Sequence, residues 1–247
     1  MDKAAIEQEA RRLQIEIYGR RDVRYPLGVP DIPTLFDPRN VADHCELHYE
    51  ERGRLDVAYP GGPEAAGVWD RDRSTILIST RYSYETQRFT GGHEIGHFIL
   101  HPKVGDRELH RERPINGSRG SRPLIEREAD YFSSCLLMPR QAVIREFSAR
   151  FGSKHPLVLN ETVAFYLKAD MGQLFSQAPG SLLFAQTVAN AQSFGRHPFK
   201  SLASYFGVSP TAMAIRLQEL ELIADYLTPD LRTAAAEDCP WPAGRSS

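Results

Sequence analysis

His93-Glu94-Ile95-Gly96-His97 sets two imidazoles four residues apart, with a carboxylate beside the first. On a helix, two histidines at i and i+4 point the same way about one turn apart and can share one metal ion. Glu94 projects roughly 100° further round, beside the metal rather than onto it. There it can take a proton from the water that such a metal activates, so the chemistry of this H-E-x-x-H spacing is hydrolysis. The bland alternative is a pair of surface histidines on an amphipathic helix, and the residues around the motif argue against it.

A hydrolytic metal bound by two histidines needs a third protein ligand and one open position for water. Glu126-Arg127-Glu128-Ala129-Asp130 opens a second helical stretch. Glu126 and Asp130 share a face, whereas Glu128 lies roughly 160° round from either. That geometry favours Glu126 over Glu128 as ligand. Asp130, one turn on, could then hold a ligating histidine by its other ring nitrogen. His101 continues the series from His97 and is a rival third ligand. It lies about 12 Å along the axis from His93, so it converges on the same ion only if the helix breaks, which Pro102 allows; otherwise it flanks the site. The longer metzincin spacing is absent, since Leu100 stands where its glycine belongs and Lys103 where its third histidine belongs. Imidazoles plus a carboxylate suit zinc and also tolerate manganese or iron.

The elements that must position these groups are readable around them. Ala4, Ile6, Ala10, Leu13 and Ile17 recur at helical spacing, predicting an amphipathic helix over residues 2–18. Gly19, Pro26, Gly28, Pro30 and Pro33 predict an irregular segment, and Asp37-Pro38 a short helix to about His44. Strands are predicted at 46–52, 67–70 and 74–80, with Gly61, Gly62 and Pro63 turning between the first two. Ser83 caps the motif-bearing helix, Glu85 sits in its first turn and Pro102 stops it. Gly91, Gly92 and Gly96 inside it each cost about 1 kcal/mol relative to Ala. We read them as places where another backbone, or a bound chain, comes close to the metal face. Residues 102–122, polar and rich in Arg, Gly and Pro, predict a long loop. A second helix follows over 124–138. Pro139 breaks it and opens the next, to about Ala149. Beyond Phe151 the chain reads as helical throughout, with breaks near Pro179-Gly180, His197-Pro198 and 207–210. The expected organisation is a metal-site domain over 1–150 with an N-terminal helix, a helical region over 151–236, and a mobile tail over 237–247.

At 247 residues, 41% hydrophobic and 25% charged, the chain has the composition of a globular protein with a substantial core. A net charge of −2 supplies no global basic field for nucleic acid or anionic lipid. Cys45, Cys135 and Cys239 are far apart and form no C-x-x-C pair, which argues against a disulfide framework and a cysteine-based zinc site. Residues 1–12 lack the apolar stretch of a signal peptide, and no run approaches the roughly 18 apolar residues that span a bilayer. The expected compartment is the cytoplasm, with no membrane partner.

Taken together, Arg88-Phe89-Thr90, His93 to His97, Glu126 to Asp130, and Phe132 through Leu136-Leu137-Met138-Pro139 resemble the ImmA/IrrE family of metallopeptidases. The join of a glutamate-bearing helix to Leu-Leu-Met-Pro after H-E-x-x-H carries the likeness. It covers residues 68–139, with a weaker similarity over 202–223. The resemblance implies an α+β, zincin-like fold: a small, mostly antiparallel sheet packed on the active-site helix, followed by a largely helical C-terminal region. It implies a zinc ion held by His93, His97 and Glu126, with Glu94 as the catalytic base of peptide-bond hydrolysis. It also implies a cytoplasmic regulator of transcription, tied to stress response or mobile-element transfer. Its protein substrate would be a helix-turn-helix repressor on a separate polypeptide. The developing oxyanion needs a donor besides zinc, and Tyr82, Tyr84, Tyr131, His101, His110 and several arginines lie within sequence reach.

Residues 201–217 read as helix, Gly-Val turn and helix, with Ala203 in the first, which is the pattern of a helix-turn-helix unit. The positions that would enter a groove are Thr211, Met213 and Ala214, and only Arg216 nearby is charged. Phosphate contact requires Lys or Arg, so direct nucleic acid binding is not expected and a helical cap or partner-recognition role is. Two further readings stand beside the peptidase: a metal-bound sensor or interaction module without hydrolysis, and a DNA-binding regulator with a structural metal.

Overall fold

A computed structural model describes residues 1–55, 65–102, 122–152, 156–178 and 181–224. The fold is α+β and divides into two compact units, Met1–Pro139 with Phe206–Val208, and Arg140–Tyr205 with Ser209–Ser247. The expected turn at 61–63, most of the loop at 102–122, the break at 179–180 and the tail at 237–247 fall outside the described residues. No helix among the described residues is long and apolar enough to cross a membrane.

The first unit opens with α1 (Lys3–Gly19), whose Asp2 cap accepts the Ala5 N–H at 3.0 Å. Ile6, Ala10, Leu13 and Ile17 form its buried stripe, while Ala4 stays exposed. Short helices α2 (Arg21–Arg24), α3 (Ile32–Leu35) and α4 (Pro38–His44) follow. The segment expected to be irregular therefore contains two helical turns. The reason is position: Pro33 falls in the first turn of α3, behind the Asp31 cap, where the missing N–H costs nothing.

Strands β1 (His48–Arg52), β2 (Gly67–Asp70) and β3 (Thr75–Ser79) form one sheet in the order β1-β3-β2. The tight turn after Asp70 makes β2 and β3 antiparallel, with Trp69 opposite Ile76. β1 pairs parallel with β3, with Tyr49 opposite Ile76. The sheet is thus mixed rather than mostly antiparallel. A short turn dictates strand direction, but the longer connection out of β1 permits either sense, and alternation within a strand does not record which.

Helix α5 (Tyr84–Leu100) packs on β2 and β3, and α6 (Leu124–Leu137) packs on α5. Ile76, Ile78, Ile95, Phe132 and Leu136 lie at the centre of the core and are fully buried. α1 closes the outer side of α6. Its Gln14 amide donates to the carbonyls of Cys135 and Leu136 at 2.9 and 3.2 Å, satisfying acceptors that the end of α6 leaves without helical partners.

The second unit comprises α7 (Arg140–Phe151), β4 (Leu157–Val158), α8 (Glu161–Tyr166), α9 (Met171–Phe175), α10 (Leu183–Asn190), β5 (Ser193–Phe194), β6 (His197–Pro198), α11 (Leu202–Phe206), α12 (Pro210–Glu219) and β7 (Ile223–Ala224). It is not helical throughout. β4 pairs parallel with β7, and β5 pairs antiparallel with β6 around Gly195, whose φ of +59° suits glycine. Each strand is too short to show a period of two, which is why helical spacing dominates the sequence there.

Candidate metal centre

The site depends on how closely α5 and α6 approach. Gly92 and Gly96 form one face of α5, and Ser133 and Ala129 form the facing surface of α6. A Cβ on Gly92 would meet Ser133 Oγ at 2.6 Å, and one on Gly96 would meet the Ala129 Cα at 3.1 Å. Ser133 Oγ donates to the Phe89 carbonyl across the same seam at 2.8 Å. The expectation that these glycines admit another backbone is met by α6. Gly91 faces the other way, against Tyr49 and Pro38.

With the helices this close, the side chains next to the glycines converge. His93 Nε2 and His97 Nε2 are 3.0 Å apart. Glu126 Oε2 lies 3.3 Å from His93 Nε2, and Glu126 Oε1 lies 3.2 Å from His97 Nε2. All three residues are buried, and together they could hold a metal ion. A tetrahedral ion about 2.0–2.1 Å from each donor keeps those donors about 3.3 Å apart. The observed edges match that figure, and lone pairs of two imidazoles and a carboxylate aimed at one point suit a cation.

The outer nitrogens differ. His93 Nδ1 lies 2.9 Å from Asp130 Oδ1, the relation expected from the i, i+4 spacing of Glu126 and Asp130. His97 Nδ1 instead faces His101 Nδ1 at 3.1 Å, and His101 Nε2 faces Glu128 Oε2 at 3.1 Å. His101 therefore lies behind His97 rather than among the converging donors. Glu128 points away from Glu126, as the helix geometry requires, and its direction brings it to His101. Arg122 bridges the two carboxylates of the seam, with one nitrogen on Asp130 and the other 3.1 Å from Glu126 Oε2. Arg122 was read only as the end of a polar loop. The spacing Arg122, Glu126, Asp130 at i, i+4, i+8 is the signal that could have found it.

Burial governs the protonation of these groups. Desolvation lowers the pKa of His97 and of His101, which favours neutral rings. Burial works against ionisation of Glu126, but hydrogen bonds from His93 and His97 outweigh it and hold the carboxyl well below its ordinary range. A neutral His97 ring and an ionised Glu126 carboxylate are the forms in which each can donate an electron pair.

Glu94 is fully buried on α5, on the side facing β2; a Cβ on Gly67 would come within 3.3 Å of its Oε1. Among the expected oxyanion donors, the Tyr84 hydroxyl receives Arg88 at 3.3 Å, the Tyr131 ring lies under Lys3, and His101 is behind His97. The carbonyl of Tyr82 accepts from Gln87 at 2.7 Å, and His110 lies outside the described residues. Among the described arginines, Arg122 is the one whose guanidinium reaches Glu126.

Arg88 anchors the first half of α5. Its guanidinium pairs with Asp37, which also caps α4, and donates to the Pro33 carbonyl at 3.0 Å. Both partners of this ion pair are buried.

The Peptidase M78 family model, described as an IrrE N-terminal-like domain, matches residues 61–174. The chain is also 38% identical over 88 residues to the radiation response metalloprotease IrrE of Deinococcus radiodurans. That alignment takes in 35% of this chain and 25% of the relative, so the match spans a quarter of the relative's length.

Proposed function

We propose that this chain, which the IrrE N-terminal-like family model matches over residues 61–174, is a zinc-dependent endopeptidase of the ImmA/IrrE family with a zincin-like core. The observation that carries the proposal is the convergence of His93, His97 and Glu126 within ligand spacing, on the helix that also bears Glu94. Imidazole and carboxylate donors of this number and spacing suit zinc.

When bound, a zinc ion brings the pKa of a water molecule to about 7 and polarises the substrate carbonyl. Glu94 takes the proton from the attacking water and delivers it to the leaving nitrogen as the peptide bond breaks, so the residue ends in its starting state. Its burial raises the strength of every polar interaction it makes during that transfer. Asp130 orients His93, and Arg122 orients Glu126.

The substrate we propose is a helix-turn-helix transcriptional repressor, and the setting a cytoplasmic stress or mobile-element response. The test is incubation of zinc-loaded protein with helix-turn-helix repressors from the same genome, any encoded beside this chain first, with cleavage read by gel and mass spectrometry. Wild type cuts at a defined bond. Glu94→Gln keeps stoichiometric zinc and loses turnover. If wild type holds zinc yet leaves those repressors and a general peptide library intact, the non-hydrolytic sensor reading replaces this one.

DNA recognition through α11 and α12 gains no support. Met213, Ala214 and Arg216 are buried within the second unit, which leaves Thr211 as the exposed member of the groove-reading set. Thr211 Oγ1 itself accepts from the Gln186 amide at 2.9 Å.

A further inference from the structure

The two histidines of the centre are backed by different chemistry, and the difference fixes where protons must lie. His97 Nε2 faces His93 and Glu126, so it can ligate only if it carries no proton. A neutral imidazole then has its hydrogen on Nδ1, where it acts as a donor. The atom 3.1 Å away is His101 Nδ1, which must accept. His101 in turn is protonated on Nε2, and that N–H is aimed at Glu128 Oε2, 3.1 Å away. With a cation at the centre, one arrangement of neutral rings satisfies every atom: the Glu128 carboxylate, then an Nε2–H imidazole at His101, then an Nδ1–H imidazole at His97 whose free lone pair faces the cation. Reversing any one tautomer puts two hydrogens or two lone pairs against each other.

His101 is also held from behind. It caps α5, with its N–H on the His97 carbonyl at 3.0 Å, and its own carbonyl accepts from Arg71 at 2.7 Å. These bonds fix its backbone, and its buried ring cannot swing to solvent without leaving His97 and Glu128.

We propose that His101, oriented by Glu128, is a positioning residue that selects the His97 tautomer able to bind metal. This rests on the reading of His93, His97 and Glu126 as ligands. His93 obtains the same service directly from a carboxylate, Asp130, so His97 is the ligand whose state depends on a second imidazole. Partners of this kind typically govern metal affinity by 10–100-fold.

The test uses the full-length chain, with zinc affinity measured by chelator competition and the His97 protonation site read by long-range ¹⁵N–¹H NMR of the zinc-loaded protein. Wild type is expected to show His97 protonated on Nδ1, with that N–H held in a hydrogen bond. His101→Leu keeps the volume but offers no acceptor, and should bind zinc about 10–100-fold more weakly with a His97 N–H that exchanges faster with water. His101→Asn places an amide oxygen near the original Nδ1 and should restore most of the affinity, which a merely space-filling role does not predict. Glu128→Ala, at the helix surface, supplies the same test where His101→Leu folds poorly, and should weaken zinc severalfold. Zinc binding by His101→Leu or Glu128→Ala equal to wild type, or a wild-type His97 protonated on Nε2, overturns the positioning role alone. Failure of wild type itself to take up zinc overturns the ligand reading and this inference with it.

Discussion

Gly96 of α5 lies so close to Ala129 of α6 that a methyl group on it would sit 3.1 Å from the Ala129 Cα and 3.2 Å from its carbonyl oxygen. The residue after Gly96 is one proposed ligand, His97, and the residue three before Ala129 is another, Glu126. The helix separation therefore sets the size of the centre. Gly96→Val should destabilise the fold by about 1–3 kcal/mol through overpacking. It should also weaken zinc binding in the protein that does fold. Urea denaturation and a zinc titration check both, and a variant with unchanged affinity would uncouple the seam from the site.

Arg88→Ala removes the buried cation from Asp37 and leaves it only Arg39, a half-exposed side chain 3.5 Å away. Breaking such a pair from one side costs about 3–5 kcal/mol, so the midpoint of thermal unfolding should fall steeply. Restoring neutrality with Asp37→Asn in the same chain should recover part of the loss. A single-variant cost under about 1 kcal/mol, the value of a surface pair, would show that the pair is not buried in solution.

Acidification should begin to destabilise the metal-free protein before it reaches the ordinary carboxyl range. Burial lowers the His97 pKa, so the unfolded chain takes up that proton first as pH falls below about 6.5. Stability contributed by the neutral ring is present above that value and is lost on the way down to the folded pKa. The depressed Glu126 pKa acts in the same direction lower down: its contribution is present above about 4.5 and is lost as pH falls further. Denaturation midpoints should therefore drop between pH 7.5 and 5.5, and drop less in His97→Asn. Equal stability at the two pH values in wild type would contradict the burial of this ring.

Cys45 offers a separate check on the first unit. Burial first, and Glu16 second, raise its thiol from 9.0 to about 11. Two pH units leave about 100-fold less thiolate at pH 8, so native alkylation of Cys45 should be about that much slower than in urea. Peptide mapping after iodoacetamide treatment measures it. Fast native labelling of Cys45 would place α4 away from α1.

Much of the centre was legible because helices convert spacing into direction. His93, His97, Glu126 and Asp130 could be assigned to faces from their intervals alone, and the cap Ser83 marked where the first of those helices begins. What escaped were relations between elements. Nothing in an interval says that Glu128, correctly turned away from Glu126, would reach His101. The parallel pairing of β1 with β3 escaped for the same reason, since it depends on a partner remote in sequence. The short strands β4 to β7 escaped because two residues show no period.

The segment that can be matched to known relatives begins at residue 61, yet the structure draws essential support from before it. Pro38 and Tyr49 press on Gly91, Asp37 neutralises Arg88, and Gln14 closes the end of the helix that carries Glu126. A fragment trimmed to the recognisable stretch would keep every reactive group and lose the buttress that holds them in register. The smallest piece able to fold and work therefore reaches back to the first helix.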